Sequence, residues 1–121
     1  MDRAVFEALV VEALEGIPEE FARYLENVTV LIEEEPSAEL LRGVGLDPRR
    51  DTLYGLYQGT PLPGRPHDFA ALPDRITIFA GPLRRDCPSA GELRHQVLAT
   101  VVHEIAHFFG LDERRIRRLG F

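Results

Sequence analysis

One segment constrains the fold more than any other, because the stretch from Ser89 to Gly110 carries the start and stop signals of a helix. Ser89 and Glu92 form a capping box, in which each side chain accepts a hydrogen bond from the backbone of the other residue. Gly110 suits the left-handed conformation that ends a helix. Between them, apolar side chains recur at helical spacing: Leu93, Val97, Leu98, Val101, Ile105 and Phe108. We therefore predict one long helix here.

The rest of the chain predicts shorter helices and strands. Apolar spacing predicts a helix over 3–16, and helix-forming or capping residues predict short helices over 18–26, 37–45 and 112–119. β-branched or alternating stretches predict strands over 28–33, 53–59 and 75–80. Together these elements predict an α+β fold. A chain of 121 residues with 45% hydrophobic side chains has the size of one domain, so we assign 1–121 to a single domain.

The positions of glycine and proline predict a loop and further features of two strands. Residues 59–73 are rich in both, which predicts a surface loop. Gly81-Pro82 follows the strand at 75–80, and a proline at the exit favours an edge position for that strand. The glycines of 53–59 indicate a bulge or a close approach of the backbone to another element.

Charge and cysteine content exclude several classes of partner. The net charge of −6 argues against a nucleic-acid partner, and the four arginines between 114 and 118 are interpreted as a solvated helix face. No run reaches the roughly 20 apolar residues that span a membrane. The first residues also lack the pattern of a secretory signal, so we expect a cytoplasmic protein with no membrane partner. Cys87 stands alone, so nitrogen and oxygen must hold any metal.

The predicted long helix contains the motif HExxH, formed by His103, Glu104 and His107. Four residues advance a helix by about 400°, so both imidazoles leave one face and reach one ion. Zinc accepts imidazole nitrogen and lowers the pKa of a bound water. Glu104 lies beside the two histidines, where its carboxylate can accept a proton from that water. This division of roles is that of a zinc-dependent hydrolase, and the motif itself is a known signature of metalloproteases.

The residues that follow the motif carry a resemblance to known families. Glycine stands seven positions after His103 and Glu113 stands ten, which resembles the HExxHxxGxxH/D pattern of metzincin-like zincins. The resemblance implies Glu113 as the third ligand of Zn²⁺, with Asp112 as the alternative. The only methionine is Met1, so the Met-turn of true metzincins is absent.

Nearly the whole chain resembles a small bacterial family of minimal zincin-like metallopeptidases. The resemblance implies a small mixed or antiparallel sheet with an N-terminal helix and an active-site helix. It also implies cleavage of a peptide or protein substrate with Glu104 as the general base, and an edge strand at Ile76–Gly81 that pairs with the substrate. The alternative is a module that binds a metal or a partner on the same scaffold without catalysis.

Several other polar residues are weaker candidates for the site. His67 lies in the predicted loop, where a histidine is more often simply solvated. His95 is predicted to point away from the metal face, whereas Gln96 and Thr100 share the face of the two motif histidines and are candidates for its second shell. The tyrosines of the strand at 53–59 have the chemistry to stabilise an oxyanion, but strand tyrosines usually pack.

Overall fold

The computed structural model of the protein describes residues 1–59 and 74–121. The helices in these ranges are α1 (Arg3–Glu15), α2 (Glu19–Ala22), α3 (Ala38–Gly43), α4 (Ala80–Asp86), α5 (Ala90–Phe109) and α6 (Glu113–Arg118), with a 3₁₀ turn at Arg23–Leu25 after α2. The strands are β1 (Val28–Glu33), β2 (Gly55–Gln58) and β3 (Asp74–Phe79). This α+β architecture confirms the predicted fold class. Residues 60–73 of the predicted loop lie outside the described residues.

The described strands form one mixed sheet in the order β1-β3-β2. β3 runs parallel to β1 and antiparallel to β2, so it is the central strand. The prediction that this strand is an edge strand was therefore wrong. Four consecutive residues of β3, from Ile76 to Phe79, are buried, as expected for a strand covered on both faces.

The reason for this error is a helix that the sequence reasoning missed. Gly81-Pro82 does not close the strand with a turn; it lies in the first turn of α4, which starts directly after β3. Pro82 is tolerated there because the first turn of a helix leaves its backbone N–H groups without intrahelical partners. The proline therefore says nothing about the position of β3 in the sheet.

Helix α5 forms the centre of the molecule. Its apolar face packs against α1 and the sheet in one hydrophobic core, to which α5 contributes Leu93, Val97, Val101, Val102, Ile105 and Ala106. Phe6 from α1 and Ile76 and Ile78 from β3 are fully buried in the same cluster. Since each of these large side chains contributes about 1.5–3 kcal/mol on burial, this core fixes how α5 lies against the sheet.

The predicted ends of α5 are confirmed, with one of the two hydrogen bonds of the capping box present. The Oγ atom of Ser89 accepts a hydrogen bond from the backbone N of Glu92 at 3.1 Å. Gly110 ends the helix with a φ of 68°, in the left-handed region. A side chain at this position would be strained, which explains the glycine. The helix carrying the motif is therefore fixed at both ends by local interactions.

The arginines near α6 lie at the surface, as predicted. Arg115 forms a bidentate ion pair with Glu20 of α2, at 2.8 to 3.2 Å. This pair ties α6 to the first half of the chain. In the part of the chain that the structure describes, no helix combines the length and apolar character needed to cross a membrane.

Candidate active site

The two motif histidines lie together on α5. The ring centroids of His103 and His107 are 6.3 Å apart, and both side chains reach solvent, with exposed fractions of 33% and 62%. This is the arrangement that the four-residue spacing predicts, because one helical turn separates the two rings on one face. Neither ring is packed away in the core.

A tight turn after α5 brings a carboxylate back to these rings. The left-handed Gly110 reverses the chain, and the backbone N of Leu111 donates to the carbonyl of Ala106 at 2.9 Å. The next helix, α6, then begins at Glu113, whose Oε1 lies 2.5 Å from Nε2 of His107. The same oxygen lies 4.0 Å from Nδ1 of His103.

Asp112, the alternative third ligand, has a different role. Its Oδ1 accepts a hydrogen bond from the backbone N of Arg114 at 2.9 Å, so its carboxylate caps the N-terminus of α6. This capping interaction holds Asp112 at the start of the helix while Glu113 faces the histidines. The structure thus brings Glu113, and not Asp112, to the cluster.

The donor set fits a zinc ion. One ligand atom from each of His103, His107 and Glu113 lies within 4.8 Å of the other two. Two imidazoles and one carboxylate are a usual set of protein ligands in catalytic zinc sites, and tetrahedral bonds of about 2.0–2.1 Å separate ligand atoms by about 3.3 Å. The observed separations of 2.5 and 4.0 Å lie on either side of this value, so modest side-chain rotations suffice. Metal ligation by these three residues stays a prediction.

The Nε2 atom of His103 has a hydrogen-bond partner of its own. It lies 3.1 Å from the backbone O atom of Phe121. A carboxylate or backbone carbonyl oxygen that accepts from one ring nitrogen is a common way to orient a metal-binding histidine, because it fixes the tautomer and leaves the other nitrogen for the ion. Here the other nitrogen, Nδ1, is the one nearer to Glu113.

Glu104 is oriented by the neighbouring strand β2. Its Oε1 accepts a hydrogen bond from the backbone N of Tyr57 at 2.9 Å, and its Oε2 lies 3.8 Å from Nδ1 of His107. The N of Phe79 donates to the carbonyl of Tyr54, and peptide groups alternate in direction along an antiparallel ladder. The backbone N–H and C=O groups of residues 55 and 57 therefore point away from β3. The N–H of Tyr57 is thus available to Glu104.

Both strand tyrosines use their hydroxyl groups in structural hydrogen bonds. The hydroxyl of Tyr57 donates to Oδ2 of Asp74 at 2.6 Å, and burial raises its pKa above the ordinary range. The hydroxyl of Tyr54 donates to Oδ2 of Asp86 at 2.5 Å, and this bond raises its pKa to about 12. Neither phenol points to the histidines in these pairs, in agreement with a packing role.

The other polar candidates lie outside the cluster. Gln96 donates through Nε2 to Oγ1 of Thr100 at 3.3 Å, so these two residues pair with each other. The ring of His95 stacks on Phe121, with centroids 5.6 Å apart. His67 belongs to the residues that the structure does not describe.

A shallow cavity beside the site was not predicted. It has a volume of about 300 Å³ and is lined by Leu56, Tyr57, Glu104, His107 and Phe108. The sequence did contain a signal for it, because the glycines of the strand indicated a close approach. A Cβ on Gly55 would lie 2.8 Å from Cγ2 of Thr100. β2 therefore lies directly against α5, and this contact places its next residues beside Glu104.

A helix that presents two histidines and a glutamate, followed by a glycine turn that returns a carboxylate, is the arrangement of the zincin class. The profile of the family described as zincin-like metallopeptidase matches residues 25–121, and the chain belongs to this family. A solved structure, a conserved hypothetical protein from Thermus thermophilus, is similar at 25% identity, with 90% of this chain and 94% of that chain covered and a TM-score of 0.57. No curated protein matches significantly.

Proposed function

We propose that the protein is a zinc-dependent peptidase in which His103, His107 and Glu113 hold the ion and Glu104 is the general base. The observation that carries this proposal is the convergence of the three ligand atoms within 4.8 Å, with the Glu104 carboxylate adjacent to His107. Membership of the zincin-like metallopeptidase family supports it.

The two carboxylate oxygens of Glu104 have different neighbours, which indicates a different role for each. When bound, zinc supplies Lewis acidity, which activates a water and polarises the carbonyl of the substrate. Oε1 of Glu104 is held by the backbone N–H of Tyr57, whereas Oε2 faces His107. Oε2 is therefore the atom that accepts the proton from the attacking water and passes it to the leaving amine.

An extended peptide or protein substrate is expected to lie along β2. Among the described strands, β2 is the edge strand next to Glu104, and the carbonyls of Gly55 and Tyr57 point away from β3. Backbone pairing with such an edge supplies affinity with little demand on the substrate's sequence. This role belongs to β2 and not to Ile76–Gly81, since β3 is paired on both sides.

The test is hydrolysis of a quenched fluorogenic peptide mixture by the zinc-loaded protein. Glu104→Gln keeps all three proposed ligands but removes the base, so activity should fall by at least about 100-fold. Zinc affinity, measured by competition with a chromophoric chelator, should stay close to that of the wild type. Glu12→Gln, which changes an exposed glutamate on α1, is the matched control and should retain full activity.

Two results would contradict the proposal. Hydrolysis that survives Glu104→Gln would remove Glu104 from the role of base. Tight zinc binding with no turnover of any peptide in the mixture would instead favour the non-catalytic metal-binding module.

A further inference from the structure

The cavity beside Glu104 has a mixed lining. Glu104 and His107 form the side that faces the proposed metal site, while Leu56, Tyr57 and Phe108 form an apolar side. Its volume of about 300 Å³ lies at the lower end of the range for small-molecule sites, which suits one side chain better than a whole ligand.

The apolar side is built from fixed rings. Tyr57 is only 7% exposed, and its hydroxyl is bound to Asp74. Phe108 stacks on Tyr57 with ring centroids 4.2 Å apart and planes inclined by 28°. Phe108 also lies against Gly59, where an added Cβ would overlap with the Cζ atom of the ring. These contacts with Tyr57 and Gly59 support the ring and fix the shape of the cavity before any ligand binds.

Phe108 nevertheless remains 48% exposed. Leaving this much of an aromatic ring in water beside two motif residues has a cost that binding of an apolar group would recover. We propose that this cavity is the side-chain subsite of the peptidase and that it selects a bulky apolar residue next to the scissile bond. This inference rests on the proposed function.

The charges and aromatic rings at the cavity indicate which class of substrate side chain it favours. The carboxylate of Glu104 repels an acidic side chain, and none of the described lining residues is an arginine. A small side chain leaves the faces of Tyr57 and Phe108 in water. A basic side chain is the main competitor, because a cation is attracted to an aromatic face.

The test uses peptides that differ only at the residue on either side of the cleaved bond, with Leu, Phe, Ala, Arg or Glu at that position. On one side of the bond, the wild type should prefer Leu or Phe over Ala by about tenfold or more in kcat/KM. Phe108→Ala should abolish most of this preference for Leu and Phe over Ala. Val11→Ala is the control, since Val11 is also an exposed apolar residue of a helix but lies on α1 and does not line the cavity.

A second variant covers the case in which Phe108→Ala disturbs the fold. Gly59→Ala keeps every lining residue but forces the ring of Phe108 to move, so the preference for Leu and Phe should weaken while the Ala peptide is still cleaved. Circular dichroism and urea unfolding establish that each variant is folded.

A binding measurement separates this inference from the proposed function. Calorimetry on zinc-loaded Glu104→Gln, which does not turn over, should give tighter binding of the uncleaved Leu and Phe peptides than of the Ala peptide. Equal binding of all peptides, or a preference for Arg, would overturn the apolar subsite whether or not the wild type is active. Absence of any hydrolysis by the wild type would overturn the proposed function, and with it the placement of this cavity next to a scissile bond.

Discussion

Tyr57→Phe removes the hydroxyl that bonds Asp74 and leaves the rest of the side chain in place. Tyr57 is only 7% exposed and its ring stacks on Phe108, and phenylalanine preserves this packing. The backbone N–H that binds Glu104 is also unchanged. The substitution therefore measures the hydrogen bond between the phenol and Asp74 alone.

The expected loss follows from the geometry of this bond. The distance from the hydroxyl oxygen to Oδ2 of Asp74 is 2.6 Å, and hydrogen bonds to charged groups contribute roughly 1.5–3 kcal/mol. Asp74 is only partly buried, so water can solvate its carboxylate in the variant, and the lower part of this range applies. We expect a loss of about 1–2 kcal/mol in the free energy of unfolding, which is about 1 M in the urea midpoint at an ordinary m-value.

A double-mutant cycle with Asp74→Ala assigns this loss to the pair. Asp74→Ala also disturbs the other interactions of Asp74, but the cycle cancels them. The coupling energy should be about 1 kcal/mol or more, with unchanged m-values. A coupling near zero would refute the reasoning and show that the phenol and the carboxylate contribute independently.

The same variant predicts a change in the alkaline limb of stability. Burial raises the pKa of Tyr57 in the folded state above the unfolded value of 10, so the folded state favours the neutral phenol. This contribution is complete below pH 10 and is lost as the pH rises toward the folded-state pKa. The stability advantage of the wild type over Tyr57→Phe should therefore shrink above pH 10 in urea unfolding. A constant difference from about pH 8 to 11 would contradict this.

Three further substitutions test other parts of the site. The hydrogen bond to Asp86 raises the pKa of Tyr54 from 10 to about 12, so a pH titration of tyrosinate absorbance in the wild type should contain a component near pH 12 that Tyr54→Phe lacks. The stability that this hydrogen bond contributes should be complete below pH 10 and should decrease toward pH 12. Gly110→Ala places a side chain at a φ of 68°, so we expect a loss of about 1–2 kcal/mol in the free energy of unfolding, measured in urea, and a weaker zinc affinity because Glu113 is displaced. Unchanged zinc affinity would show that the turn does not position the Glu113 carboxylate. Gly55→Ala would place a Cβ 2.8 Å from a methyl group of α5, so we expect a loss of about 1–3 kcal/mol, and a neutral effect would disprove the close approach.

The features that could be predicted from the sequence are those set by neighbouring residues. Ser89 and Gly110 define the ends of α5, and both act through the backbone within a few residues. The two histidines share a face because the helix repeats every 3.6 residues. Glu113 reaches them because only one turn and one cap, formed by Gly110 and Asp112, separate it from α5.

The position of β3 could not be predicted in this way. A proline removes the backbone donor that a central strand needs, so Gly81-Pro82 after a strand predicts an edge position for that strand. The two residues instead start α4, where the missing donor has no cost. Whether a proline ends a strand or begins a helix depends on the space that the neighbouring elements leave, which a local pattern does not contain.

The contact between Glu104 and β2 is the part of the site that depends most on residues far apart in the sequence. Glu104 and the amide that orients it are 47 residues apart in sequence, and they meet only because Gly55 allows β2 to lie against α5. The same approach brings Tyr57 under Phe108 and so creates the apolar cavity. The HExxH motif thus encodes which atoms can bind a metal, whereas the contact of one strand with one helix determines which oxygen of Glu104, the proposed base, faces His107. The same contact shapes the cavity that we propose as the side-chain subsite. Substitutions at Gly55 should accordingly alter activity and side-chain preference together, although this residue touches neither the proposed ion nor the substrate's side chain.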